Sequence, residues 1–591
     1  MKIVHKAGNS RTAKDARAGY MLSNSNGYYL KGIESRYAGL FFWINSGMFR
    51  LLDNIDFDFR HGSIVCRGQE VELQGRTNKA NLFIPQGCNA MVCSLQKEAA
   101  AEFYFDVRGS YDLRKWGKQY RIYEEDGLIL VEFVKKTDST EDDTHDEIEY
   151  KRYMVISGDG LKYKIMDEWV KKDYSYDRER NSHPFEWHVF HGLHLVAKDF
   201  VIAAGKDKAE TKKEAAKVRK NIARLRKKPA VPDIRKKELR YACMHAAKNV
   251  NDLSSENGIF AGLPWFFQYW TRDEAISLKS VMLLGNRKQA KSILMRQLMS
   301  LGKRGRIPNR LPGTDTGSAD ATGWMFLRCS EMINDFAGKD KFFQGLVKGQ
   351  VEKSLKHQYE HYTDDNRFAV NKPQETWMDS VWGGDDRAGA RIEIQALRLF
   401  MYKLAYELSG KKVFHDLGAE LRDKVRKNFW NSRYLADGLG DWTIRPNVFI
   451  AAYVFPELLT QDEWKKCIRT VLSRLWLRWG GLATIDKKSS LYCSRHTGEA
   501  PQSYHRGDSW FWLNNLAAIV MARIDRKYFR KYIDRIVEAS TRDILYNGAA
   551  GCHSELSSAS KQRGEGCVCQ AWSSAMFIEL LHELYGKKIK A

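Results

Sequence analysis

The chain reads as a multidomain protein, an N-terminal β-sandwich followed by an all-α (α/α)6 barrel. Three observations predict this. Up to about residue 205, short segments alternate apolar and polar residues between Gly, Asn and Asp turns, as half-buried strands do. From about Lys236 onward, twelve amphipathic helical segments follow one another. Their spacing is also uneven: roughly two to five residues after each even-numbered segment and roughly 13 to 30 after each odd-numbered one. Short gaps make antiparallel neighbours, so this rhythm fits six helical hairpins closed into a double ring, with the long loops on one face.

In residues 1–205 the strand signals are clearest at Gly47–Arg60 (GMFRLLDNIDFDFR), Glu102–Arg108 (EFYFDVR) and Gly127–Lys136 (GLILVEFVKK). Their turn-separated succession predicts the sandwich. The acidic stretch Thr137–Glu149 reads as a surface loop. Residues 206–235 form a basic helical linker with prolines near its end. Lys206–Arg240 holds fifteen Lys or Arg against five Asp or Glu, much of the chain's net charge of +23. Basic helices can bind phosphates. No nucleic-acid motif accompanies this one, so it reads as a solvated face and nucleic acid is not an expected partner.

Residues 236–591 form the barrel. Helices are expected at 236–250, 272–284, 287–301, 319–336, 341–360, 388–408, 414–431, 445–455, 461–477, 508–523, 526–541 and 568–585. Thr271…Glu274 and Thr460…Glu463 have capping-box spacing. Gly285, Gly410 and Gly586 follow helix ends, and Pro446 and Pro456 bracket the short eighth helix. If the even helices line the inner ring, their N-termini share one face and aim N–H groups into it.

Several classes drop out on composition. No apolar run reaches the roughly 18 residues of a membrane span, and the N-terminus MKIVHKAGNSRTAKD lacks the apolar core of a signal peptide. Ten cysteines without framework spacing read as free thiols in a reducing cytoplasm. No pair of C-x-x-C units exists, and neither a metal nor a cofactor is expected.

The long loops carry the chemistry. A face lined with Trp, Asp, Glu, His and Arg suits a sugar-cleaving site, which needs two carboxyl groups flanking the glycosidic bond. In GLPWFFQYWTRDEA, five aromatics, Trp265 and Trp270 among them, precede an Arg272–Asp273 pair at a helix start that could hold two hydroxyls of a terminal sugar. Asn309 and Asp320 are the polar candidates of the next long loop. In QETWMDSVWGGDDRAG, Asp379 stands between Trp377 and Trp382, whose indoles would desolvate it and raise its pKa, as a general acid requires. Asp385 and Asp386 rival it from a wetter, glycine-rich stretch. Arg445-Pro446-Asn447 reads mainly as a helix start. The fifth loop, SYHRGDSWFWL, offers His505, Asp508, Trp510 and Trp512. The sixth offers Glu555, set among Ser and small residues that would keep it ionised as a base, with Glu565 as competitor.

In order, GLPWFFQYWTRDEAISL, IPNRLP, SADATGWMF, ETWMD, RAGARIEIQAL, RPNVFIAAYVFP, SYHRGDSWFWL, SEL and GCVCQAWSSA resemble the amylo-α-1,6-glucosidase module of glycogen debranching enzymes (glycoside hydrolase family 133) over about residues 236–588. The N-terminal half resembles the sandwich of the short, prokaryotic-type members. The resemblance implies an inverting hydrolase that removes single α-1,6-linked glucose stubs from a glycogen-like glucan or limit dextrin. It implies Asp379 as general acid and Glu555 as general base, roughly 6.5–9.5 Å apart. Arg272 and Asp273 would hold the non-reducing glucose. His505, Trp510, Gln570 and Trp572 fall on pocket positions. The chain departs from the family pattern at Asp385-Asp386-Arg387, at Gly389-Ala-Arg-Ile-Glu393, and at Gln268, Tyr269 and Thr271, which touches linkage preference but neither catalytic carboxyl. The family's long enzymes carry a separate glucanotransferase barrel, for which this chain has no room. An exo-acting α-1,4-glucosidase of glucoamylase type is the neighbouring expectation. A glucan-binding protein without catalysis is the expectation from another class.

Overall fold

The computed structural model describes residues 2–5, 10–12, 19–45, 47–136, 149–226, 234–313, 317–336 and 340–586. The expected acidic loop, save Glu149, and the proline-containing end of the linker lie outside the described residues.

The N-terminal strands form one continuous curled sheet, fifteen strands among the described residues. Two 20-residue strands, Ala90–Gly109 and Glu186–Gly205, run antiparallel through its centre. The first pairs with Lys79–Phe83 near its start and with Gly47–Phe57 further along. The second pairs with Lys162–Asp173 and then with Tyr150–Gly158. Irregularities between Ser94 and Ala99 and between Phe103 and Tyr104 mark where the pair bends. The two leaves therefore share their central strands and pack face to face. Tyr120 stacks on Phe190 at 4.6 Å and Phe49 meets Tyr150 edge-on at 5.2 Å.

The basic linker differs from the solvated helix expected. Asp207 caps helix Lys208–Lys220 by accepting from the Glu210 N–H, and Thr211, Ala215 and Val218 are buried. Ala215 and Val218 join a cluster with Val92, Leu130 and Val201 on the sheet. Small and β-branched residues at helical spacing give it an apolar inner face beneath the basic outer one. Lys208 and Lys212 pair with Glu125, and Arg219 with Asp159.

Each of the twelve expected helices is present, from Lys237–Leu253 to Ala571–Tyr585. The even-numbered ones are Thr271–Leu283, Ala321–Glu331, Ile392–Ser409, Asn447–Val454, Phe511–Asp525 and Ala571–Tyr585. Each packs on the next and the last on the first, which closes the inner ring. They are the more apolar set: Asn447–Val454 is buried at all eight positions. The odd helices bury one stripe each and form the outer layer, as Arg530–Arg542 does through Ile533, Ile536 and Val537.

Phe511–Asp525 and Ala571–Tyr585 start three residues later than expected, because short ladders take the residues before them. Ser509–Trp510 pairs with Leu556–Ser557, which pairs in turn with Gly564–Glu565, and Cys569–Gln570 pairs with Gly262–Leu263. The Thr460–Glu463 capping box forms. The one expected at Thr271 does not: its Oγ1 donates to the Pro308 carbonyl at 2.7 Å, and Glu274 turns to Arg296 and the Ile259 N–H. Gly285, Gly410 and Gly586 all have positive φ after their helices, where a Cβ would be strained.

Candidate active site

The N-termini of the inner helices and the loops before them meet over one cavity. Trp270, Arg272, Asp273, Trp377, Asp379, Trp510, Glu555, Gln570 and Trp572 line it, all expected from the sequence, joined by Ala261, Phe266 and Tyr504. Both carboxyl candidates thus share one chamber, though they arrive from loops far apart in the chain.

Asp379 follows Trp377, which is buried and packed edge-on against Trp510 and Trp512 at 5.6 and 5.1 Å. The Asp379 side chain remains 40 % exposed where it borders the cavity. Burial by the surrounding protein pushes its pKa up to about 6. The Arg272 guanidinium, 3.5 Å from Oδ2, offsets part of that push, and Asp320 adds to it. Trp382, expected to flank Asp379 from the other side, is exposed in a turn and lines no part of the cavity. Adjacency in sequence put it near, but the Gly383-Gly384 turn carries it outward.

Glu555 is 2 % exposed. Ser and small residues flank it in sequence, and burial raises its pKa. Two donors favour the ionised form in compensation: the Tyr504 hydroxyl at 2.5 Å from Oε1 and the Cys567 N–H at 2.7 Å from Oε2. The rival acids are otherwise engaged. Asp385 bridges Arg445 and Arg506 at 2.6 and 2.8 Å. Asp386 accepts from the Ala388 N–H, and Glu565 pairs with Arg563 at 3.2 Å. Asp508 is buried against Ser503 and His496.

Asp273 sits on the first turn of its helix, 3.3 Å from the Gln570 amide. Burial pushes its pKa up to about 8, the Arg272 charge opposes this, and the nearby carboxyls of Glu555 and Asp379 reinforce it. Asp273 and Asp379 share the Arg272 guanidinium, and burial holds both carboxyls above the usual carboxylate range.

Five expected contact residues stand off the cavity. Asp320 lies beneath Arg272 and fixes it, accepting from Nε at 2.8 Å and from Ser318 at 3.0 Å. Asn447 is wedged behind Trp377, accepting from the indole N–H at 2.8 Å and donating to Asp437 at 2.7 Å. His505 is buried between Trp377 and Trp510 with Nδ1 2.8 Å from the Ser380 hydroxyl, and burial drives its pKa well down. Asn309 is buried, its carbonyl accepting from the Thr271 N–H. All four are buried behind the residues that line the cavity. Trp265 lines an adjoining groove instead.

Tyr504 is the residue the sequence reading missed. It lay inside SYHRGDSWFWL, but nothing local shows that its hydroxyl meets a carboxylate in the next long loop. Arg387 and Glu393, which end the two departing stretches, form a buried cluster: Arg387 bonds Glu393 at 2.9 and 3.2 Å and Asp437 at 2.9 and 3.1 Å.

Residues 241–579 match the family model described as amylo-alpha-1,6-glucosidase. Among solved structures, the fold is similar to that of a bacterial glucoamylase complexed with acarbose, at 10 % identity and a TM-score of 0.60, covering 98 % of this chain and 95 % of that one. That likeness spans sheet and barrel together. A GH63 mannosylglycerate hydrolase from Thermus thermophilus, in complex with Tris, is similar over 57 % of this chain and 99 % of its own, at 12 % identity and a TM-score of 0.44.

Proposed function

The chain belongs to the amylo-alpha-1,6-glucosidase family and is a glycoside hydrolase, and from that premise we propose that it is an inverting glucosidase removing single α-1,6-linked glucose stubs from a glycogen-like glucan. The observation that carries the reading is the shared cavity, in which Asp379 and Glu555 stand with opposite kinds of support. Asp379, with its pKa near 6, is the general acid that protonates the leaving glycosidic oxygen. Glu555, clasped by Tyr504 and Cys567, is the base that takes a proton from the attacking water. Arg272 and Asp273, with Gln570, hold the hydroxyls of the terminal glucose, and Trp270, Trp510 and Trp572 shape its pocket. No cofactor enters this scheme.

The working division is a sheet domain at 1–205, a linker at 206–235 and the catalytic barrel at 236–591. Ten free thiols, nine of them buried, support a reducing, cytoplasmic setting. The described residues hold no helix long and apolar enough to cross a membrane.

The deciding experiment incubates the protein with glucosyl-α-1,6 branched dextrins and with linear maltooligosaccharides, and follows fresh glucose by NMR. β-Glucose from the branched set alone is the expected result. β-Glucose from linear chains would move the activity to a glucoamylase-type α-1,4 cleavage. α-Glucose would mean retention and overturn the mechanism.

A further inference from the structure

We infer that the sheet domain completes the substrate site, walling a groove that binds the glucan chain on the leaving-group side of the scissile bond, with Tyr111 as its stacking platform. The inference rests on the glucosidase reading of the cavity.

A groove of about 500 Å³ adjoins the catalytic cavity and shares Phe266, Trp270, Tyr504 and Glu555 with it. That volume lies in the usual range of small-molecule sites, roughly 300–1,000 Å³. Its outer wall comes from the sheet domain, through Arg36, Tyr37, Tyr111, Arg180 and Ser182. A sugar seated in the cavity therefore has a continuous way out past the sheet for whatever is attached to it.

Tyr111 is 46 % exposed, yet fixed at both ends. Its ring stacks on Phe267 at 5.0 Å with 23° between the planes. Its hydroxyl donates to the Trp265 carbonyl at 2.7 Å and accepts from Gln268 at 2.6 Å. No core demands a large aromatic there. A rigid ring with an open side is what the apolar C–H face of a pyranose packs on, at little cost in side-chain entropy.

Trp265 beside it is held in the same way. The Arg180 guanidinium lies 4.0 Å over its ring, and Tyr37 meets it edge-on at 5.7 Å. Arg180 is 7 % exposed and pairs through Nη2 with Glu499 at 2.8 Å, while Nε and Nη1 have no hydrogen-bond partner among the described residues. Arg180 thus anchors the Trp265 ring in the groove wall. Arg36, Ser182, Gln268 and Arg310 give the wall polar groups that can bond sugar hydroxyls. Gln268 is the barrel's half of the Tyr111 contact.

The test compares two substrates in the full-length protein. α-Glucosyl fluoride fills the cavity and has no aglycone. A glucosyl-α-1,6-maltotetraose fills the cavity and the groove. Tyr111→Ala should lower kcat/KM for the dextrin at least tenfold more than for the fluoride, mostly through KM. Tyr111→Phe, which keeps the ring, should recover most of the difference and guards against a variant that merely loosens the seam. Equal effects on both substrates, or none, overturn the inference. If the wild type hydrolyses the fluoride but no dextrin, the linkage reading fails by itself. Calorimetry with maltotetraose then decides the groove: binding weakened at least tenfold by Tyr111→Ala supports it, and absent or unaltered binding sinks it.

Discussion

Asp379 and Glu555 border one cavity, but the chain holds them in opposite ways. Asp379 rides an irregular loop, 40 % exposed, with a single guanidinium 3.5 Å away. Glu555 immediately precedes the middle strand of a three-strand ladder, almost wholly buried, with one donor on each oxygen. In both, burial raises the pKa. The difference is what opposes it. Arg272 acts on Asp379 through charge across a gap, so the carboxyl keeps a proton it can give away. Tyr504 and Cys567 act on Glu555 through direct hydrogen bonds, so the carboxylate is fixed in place to orient a water. An acid must release and recover its proton each turnover; a base that aims a water gains from immobility.

The strongest way to break this contrast is to remove the acid. Asp379→Asn keeps the shape and removes the proton, so kcat on dextrins should fall toward the upper end of the roughly 10²–10⁴-fold range for a positioned acid or base. α-Glucosyl fluoride, whose leaving group needs little protonation, should lose much less. The wild-type rate should decline as pH rises through about 6, where Asp379 loses its proton. Equal losses on both substrates would place the acid elsewhere.

Glu555→Gln should cost somewhat less, about 10²–10³-fold, and should affect both substrates alike because both need the activated water. Added azide, which needs no base, should restore turnover. Failure of azide in a variant that still binds glucan would argue that Glu555 is structural.

The legible and illegible parts of this molecule divide by range. The barrel was readable because helical periodicity, capping residues and loop lengths are local, and all twelve helices follow them. The nine cavity-lining candidates were readable because the inner-helix starts and the long loops before them converge by topology. Two-residue ladders were not, since Gly262 pairs with Gln570 and Trp270 with Arg310. The Thr271 box failed for the same reason: a distant carbonyl, that of Pro308, outcompetes the local cap. Asn447 and His505 carry the right chemistry but stand behind Trp377, a depth that no spacing encodes. Tyr111 reaches Trp265 from another domain, and in its own half it belonged to no motif.

Tyr504→Phe makes the finest cut, because it removes one of the two donors and leaves the rest of the wall. The hydroxyl favours the ionised form of Glu555, so its loss raises that pKa further. A base works only when ionised. Activity is therefore present above its pKa and lost as pH falls through it, and a higher pKa moves the acidic limb of the rate profile to higher pH. A hydrogen bond to a charged group is worth about 1.5–3 kcal/mol, enough to move that limb measurably. The alkaline limb, set by Asp379, should stay where it is, and the rate at the optimum should drop by about tenfold or less. Movement of the alkaline limb instead would mean that the two carboxyls have been given each other's roles.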